Sequence, residues 1–117
     1  MYNICDKIDF VLEKISLLEE ILKENKITFA LKDEKVLKPA ILMHLMQIGE
    51  SLNSIYKKSP ELIKKYDLED AVKGSYNVRN FIAHDYEGVN LAIIEMILRK
   101  EISKLKTKLK RVKNECE

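Results

Sequence analysis

Tryptophan is absent, and the chain holds only three glycines, two prolines, two cysteines and two histidines. So little Gly and Pro leaves little turn material, and long elements joined by few loops are expected. No apolar run is longer than a few residues, which excludes a membrane-spanning helix. Cys5 and Cys116 stand near opposite ends of the chain and form no close-spaced metal or redox motif. The opening residues, Met1 to Asp6, lack a basic segment leading into an apolar one, so no export signal is read there. The two cysteines are therefore expected as reduced thiols, and the chain in the cytoplasm. The net charge of +2 names no partner by itself.

What is present is a mixture of 46% apolar and 34% charged residues over 117 positions. That balance fits one folded domain spanning 1–117 and argues against disorder. Ile4, Ile8, Val11, Leu12, Ile15, Leu18 and Leu22 recur in steps of three and four, one face of a helix from about Ile4 to Asn25. A loop follows. A second helix starts between Asp33 and Lys38, with Pro39 tolerated only in its first turn. Its seam is Ile41, Leu45, Ile48, Leu52 and Ile55. Gly49 interrupts that helix at a cost of about 1 kcal/mol relative to Ala, which points to close approach of a neighbouring chain segment.

Ser59-Pro60-Glu61 reads as an N-cap followed by Pro at the first helical position, opening a short helix to about Tyr66. A further helix begins near Leu68 to Asp70, carries Val72, Tyr76, Val78, Phe81 and Ile82, and should end near Tyr86 to Gly88. Asn90 can cap a last long helix striped by Ile94, Leu98, Ile102, Leu105, Leu109 and Val112. The fold expected is all-α: an up-and-down four-helix bundle with one additional short helix, leftover apolar residues being available for a dimer interface. The first, second and last helices should each run about 22 to 26 residues, or about 33 to 39 Å.

The polar residues gather in one run, Arg79-Asn80-Phe81-Ile82-Ala83-His84-Asp85-Tyr86. Asn80 and His84 are four apart and share a helix face, so Asn80 could hold one ring nitrogen and fix the tautomer. Arg79 and His84 are five apart, about 140° around a regular helix. They converge only if the helix is distorted, or if two copies meet across a two-fold axis and each supplies half of a site. An arginine with a histidine suits phosphodiester cleavage. The imidazole takes or gives a proton near neutrality, and the guanidinium stabilises charge developing on phosphorus. RNA carries its own 2′-hydroxyl nucleophile, and no carboxylate or Cys/His cluster with metal-ligand spacing stands out, so neither metal nor cofactor is expected. The plainer reading is a histidine against the last carbonyls of a helix and an arginine in a surface ion pair.

The order Arg79-Asn80-x-x-x-His84-x-Tyr86 resembles the signature of the HepT proteins, a branch of the HEPN superfamily. Leu45-Met46-Gln47-Ile48-Gly49-Glu50-Ser51 is similar to that family's Ile-Gly-Glu-Ala segment, with Ser51 in place of Ala. Gly88-Val89-Asn90 resembles the link into the last helix, where Asp commonly stands at the position of Asn90. The chain departs from the family in having Tyr76-Asn77-Val78 where a Trp and a Gly-Met often precede the arginine. The resemblance implies a homodimer whose two Arg–His pairs line a shared cleft. It implies a metal-independent ribonuclease, the toxin of a type VII (HEPN/MNT) toxin–antitoxin system. Arg79 would bind the phosphate, His84 would act as acid or base, and Asn80 would support them. A nucleotidyltransferase antitoxin, MntA, would transfer AMP to Tyr86. Glu50 and Asp85 are candidate supports, although Glu50 reads equally well as a polar residue at a helix contact. The alternative from a different class is a non-catalytic helical partner that helps a nucleotidyltransferase bind its substrate.

Two further features have plain explanations. Lys104, Lys106, Lys108, Lys110, Arg111 and Lys113 could attract phosphate, but read more simply as solvated residues snorkelling beside an apolar seam. His44 reads as a boundary residue of the bundle, and Tyr2, Tyr56, Tyr66 and Tyr76 as packing residues.

Overall fold

The structure is a computed structural model that describes residues 3–116; Met1, Tyr2 and Glu117 lie outside it, and with them the expectation for Tyr2. Its regular elements are helices: α1 Ile4–Glu24, α2 Ile27–Lys32, α3 Leu37–Lys58, α4 Pro60–Lys65, α5 Glu69–His84, α6 Leu91–Met96 and α7 Ile102–Cys116, with one π-helical turn, Ile97–Glu101, joining α6 to α7. No strand occurs among the described residues. The apolar steps of three and four become the buried stripes. Ile8, Val11, Ile15 and Leu18 of α1 meet Ile41, Leu45, Ile48, Leu52 and Ile55 of α3 in one core with Ile94, Leu98, Ile102, Leu105, Leu109 and Val112.

Polar contacts fix the directions. Lys113 pairs with Asp9 at 2.8 Å and Lys106 with Glu19 at 2.9 Å, so α7 runs antiparallel to α1. The last helix thus spends much of its basic character on neighbouring acids: Lys108 reaches Asp67 and Lys104 reaches Glu101. Helices α3 and α5 form the most extensive helix pair, also antiparallel. Between α5 and the α6–α7 rod lies an open groove of about 530 Å³ with an apolar floor that includes Leu45, Ile48, Val78, Ile97 and Leu105.

Three local features differ from expectation. Residues expected as loop after α1 contain the extra helix α2, because Ala30 and Leu31 have an apolar surface to bury on α3 and α6. The last helix contains a π turn. Its stripe takes two successive steps of four, Ile94 to Leu98 to Ile102, which would drift off the core face of a regular helix; the wider turn keeps all three buried. Ser59 makes no side-chain cap; its backbone carbonyl accepts from Leu62 N–H at 3.1 Å instead. Asn90 does cap α6, accepting from Ala92 N–H at 3.0 Å.

The cysteines are the clearest correction. Cys5 and Cys116 are not reduced thiols but a disulfide, with Cα atoms 6.0 Å apart. The antiparallel run of α1 and α7 brings the two chain ends side by side, so 111 residues of separation vanish in space. No described helix is long and apolar enough to cross a membrane.

Candidate active site

The seam of α3 and α5 is built around Gly49. A Cβ added there would stand 2.5 Å from the Ser75 carbonyl oxygen and 3.0 Å from Arg79 Cβ. Only glycine lets α5 lie this close. The contact sets the depth and height of Arg79 against α3. Its guanidinium then meets three groups. Nη2 pairs with the Glu50 carboxylate, Nη1 donates to Asn80 Oδ1 at 3.0 Å, and the guanidinium carbon lies 5.7 Å from the Tyr76 ring centroid. Nε is buried with no hydrogen-bond partner among the described residues. The side chain stays 29% exposed, so part of it remains open to solvent.

Asn80 therefore supports Arg79 and not His84. His84 closes α5 as its last residue, is exposed, and its ring hydrogen-bonds to no described residue. The helix runs regularly through the motif, and no contact joins Arg79 to His84 within one chain. Beyond His84 the chain turns. Asp85 accepts from Gly88 N–H twice, through Oδ1 at 3.0 Å and its backbone carbonyl at 3.2 Å, and a side chain at Gly88 would overlap the Asp85 carboxylate. Asp85 is thus the residue that shapes the turn carrying Tyr86. The Tyr86 ring leans on α3, where Lys38 Nζ lies 5.6 Å from its centroid. Lys38 itself is buried, with its ammonium 3.1 Å from Glu34.

Sequence reading singled out Arg79, Asn80, His84, Tyr86, Glu50 and Asp85. The structure gathers Glu50, Arg79 and Asn80 in one cluster and sets His84, Asp85 and Tyr86 at the adjoining end of the same helix. It adds Tyr76, which had been read as packing alone, and Lys38, which had not been singled out. Tyr76 stands three residues before Arg79, one helical turn away, and that spacing was a readable signal. Lys38 carried the signal of an i,i+4 pair with Glu34, but nothing in the sequence pointed it at Tyr86.

Near this end the surface is unusually apolar. Phe81 is 69% exposed and Ile93 48% exposed, and both line a groove of about 300 Å³ with Val78, Ile82 and Val89. Among the described residues no group of three or more His, Cys, Asp and Glu side chains stands where it could hold a metal ion.

Comparison with known proteins gives one positive result. Neither the curated proteins nor the solved structures contain a match. A family model described as "Ribonuclease HepT-like" matches residues 11–112, a span that includes the Gly49 seam, Arg79, His84 and Tyr86. The chain belongs to the HepT-like ribonuclease family.

Proposed function

We propose that the chain is the toxin of a type VII toxin–antitoxin pair, a metal-independent endoribonuclease that works as a homodimer. The observation that carries this reading is the division of labour along α5. An arginine is held in place by Glu50, Asn80 and Tyr76, and an exposed histidine without a partner stands five residues on. In this reaction a neutral His84 takes the proton of an RNA 2′-hydroxyl. The 2′-oxygen attacks phosphorus, the bond from phosphorus to the 5′-oxygen breaks, and a protonated imidazole returns a proton to that oxygen. The products are a 2′,3′-cyclic phosphate and a 5′-hydroxyl. Arg79 stabilises the charge on the phosphoryl oxygens, for which its exposed part is available.

Arg79 and His84 lie apart in one chain, so the working pair comes from two copies, the arginine of one and the histidine of the other. Exposed Phe81 and Ile93, next to His84, supply the apolar contact such a dimer needs. Mixing Arg79→Ala with His84→Ala chains tests this directly. A shared site predicts recovery of about a quarter of wild-type cleavage, since half the dimers are mixed and each regains one of two sites. No recovery in dimers shown to have exchanged would place both residues in one chain.

The regulatory half of the proposal is transfer of AMP to Tyr86 by an MntA-like nucleotidyltransferase. The phenolic oxygen attacks the α-phosphorus of ATP and pyrophosphate leaves. The added phosphate would repel RNA beside His84 and cover the cleft. Incubation with such an enzyme and ATP should add mass in AMP units to the wild type and not to Tyr86→Phe; full addition to Tyr86→Phe would remove Tyr86 from this role.

A further inference from the structure

We propose that the groove between α1 and α3 beside Arg79 is a nucleobase subsite, which takes an unpaired base flanking the cleaved phosphate and stacks it on Phe10. This rests on the ribonuclease reading and adds to it where the substrate lies and what part of it is read. The groove has a volume of about 570 Å³ and is bordered by Asp6, Lys7, Phe10, Gln47, Glu50 and Ser51. Glu50 is the bridge: the same carboxylate that holds Arg79 forms part of this wall. A phosphate seated on the exposed part of Arg79 therefore has the groove as its neighbour.

The lining has the chemistry of a base site. Phe10 is half-buried and supplies an aromatic wall, and Lys14 Nζ lies 4.9 Å from its ring centroid. Lys14 covers one face of the ring from the next turn of α1, so a base stacks on the other face or displaces that flexible ammonium; stacking on an aromatic face serves any base. Lys7 brings a second positive charge to the groove. Beside the donors of Asn3, Lys7 and Ser51 the groove presents three strong acceptors. The carboxylates of Asp6 and Glu50 only accept, and Gln47 Oε1 is buried with no partner among the described residues. Rotation of that amide into the groove would offer its oxygen to a donor. Acceptors of this kind bind the exocyclic amino group of adenine, guanine and cytosine better than uracil, whose one base donor is its ring N3–H.

The test uses short single-stranded RNAs with one ribose at the cleavage position, deoxyribose elsewhere, and each of the four bases in turn on either side. Wild-type protein should cleave with a higher KM when uracil flanks the phosphate. Phe10→Leu should raise KM by about 5- to 150-fold, the range for loss of one base–aromatic stack, with kcat much less affected. Phe10→Tyr, which keeps the aromatic face, should hold KM near the wild-type value. A merely structural role for Phe10 would not separate leucine from tyrosine in this way. If Phe10→Leu does not fold by helicity, Gln47→Leu carries the test and should flatten the base preference. Wild-type cleavage with unchanged KM and base order in Phe10→Leu, or unchanged base order in Gln47→Leu, overturns the subsite alone. Failure of the wild type to cleave any of these RNAs overturns the ribonuclease reading and the subsite with it.

Discussion

The two ends of the α3–α5 seam are built on opposite plans. At the Arg79 end the backbones are in contact through Gly49, and the functional side chain is clamped by a carboxylate, an amide and an aromatic ring. At the His84 end the helix stops, the histidine stands in solvent, and the following turn is tied back by Asp85 and by Lys38 against Tyr86. On the proposed reading, a phosphate-binding cation gains from being fixed in advance, because orientation is then not lost on binding. A proton-transfer group that a second copy would complete gains from being open. The contrast teaches that Arg79 should be coupled to the stability of the fold, and His84 should not.

The largest test of that contrast is activity set beside stability. Arg79→Ala and His84→Ala should each lower RNA cleavage by about two to four orders of magnitude. Only Arg79→Ala should also lower the unfolding midpoint, because it strips Glu50 and Asn80 of their partner. His84→Ala should change unfolding by less than about 0.5 kcal/mol, as exposed substitutions do. Equal destabilisation by both would erase the difference between the two ends. Next in size is the Cys5–Cys116 bond, which joins α1 and α7 near the groove beside Glu50. Cys5→Ser should cost about 5 kcal/mol if loop closure in the unfolded chain governs the effect. Denaturant titration with and without reductant measures it, and reductant should shift the wild type but not Cys5→Ser.

A smaller effect is expected from Gly49→Ala. The new methyl group would crowd the Ser75 carbonyl and Arg79 Cβ and force α3 and α5 apart, at a cost of about 1–3 kcal/mol. Activity should fall with it because Arg79 moves, whereas Gly74→Ala, which meets nothing within 4 Å, should be neutral or stabilising in an exposed helix. The smallest effect is a pH dependence at His44, whose pKa is pushed below 6.5 by burial and secondarily by Lys14. The folded protein then binds this proton less readily than the unfolded chain. The resulting stability is present above 6.5 and is lost as the pH falls through the depressed folded value. His44→Gln should flatten the loss of unfolding midpoint below pH 6.5; an unchanged slope would assign the acid sensitivity elsewhere.

The helices were legible because their apolar spacing is the buried face itself: Ile8, Val11, Ile15 and Leu18 needed no partner to be recognised. Gly49 was legible for the same reason, since a glycine inside a strong helical pattern requires a close neighbour. The identity of that neighbour, Ser75 with Arg79, depends on the register of two helices and no local pattern encodes it. The same limit explains Asn80. Helical spacing offered it to His84, but a charged guanidinium one residue away is the stronger hydrogen-bond partner. The disulfide escaped because sequence separation says nothing about distance once α1 and α7 are laid antiparallel. Lys38 escaped because its contact with Tyr86 spans the seam of α3 and α5. The π turn left a trace in the two consecutive steps of four, which marks it as readable in principle.

The most direct measurement is RNA cleavage by purified, unmodified protein in excess chelator, wild type beside His84→Ala, with the fragment ends identified. The mass of the wild type is checked first, because AMP on Tyr86 would mask activity. Cleavage by the wild type alone, leaving 2′,3′-cyclic phosphate ends, is the predicted result. Equal cleavage by His84→Ala, or cleavage that stops when the metal is chelated, would contradict the assignment of His84 as the proton-transfer group of a metal-independent site.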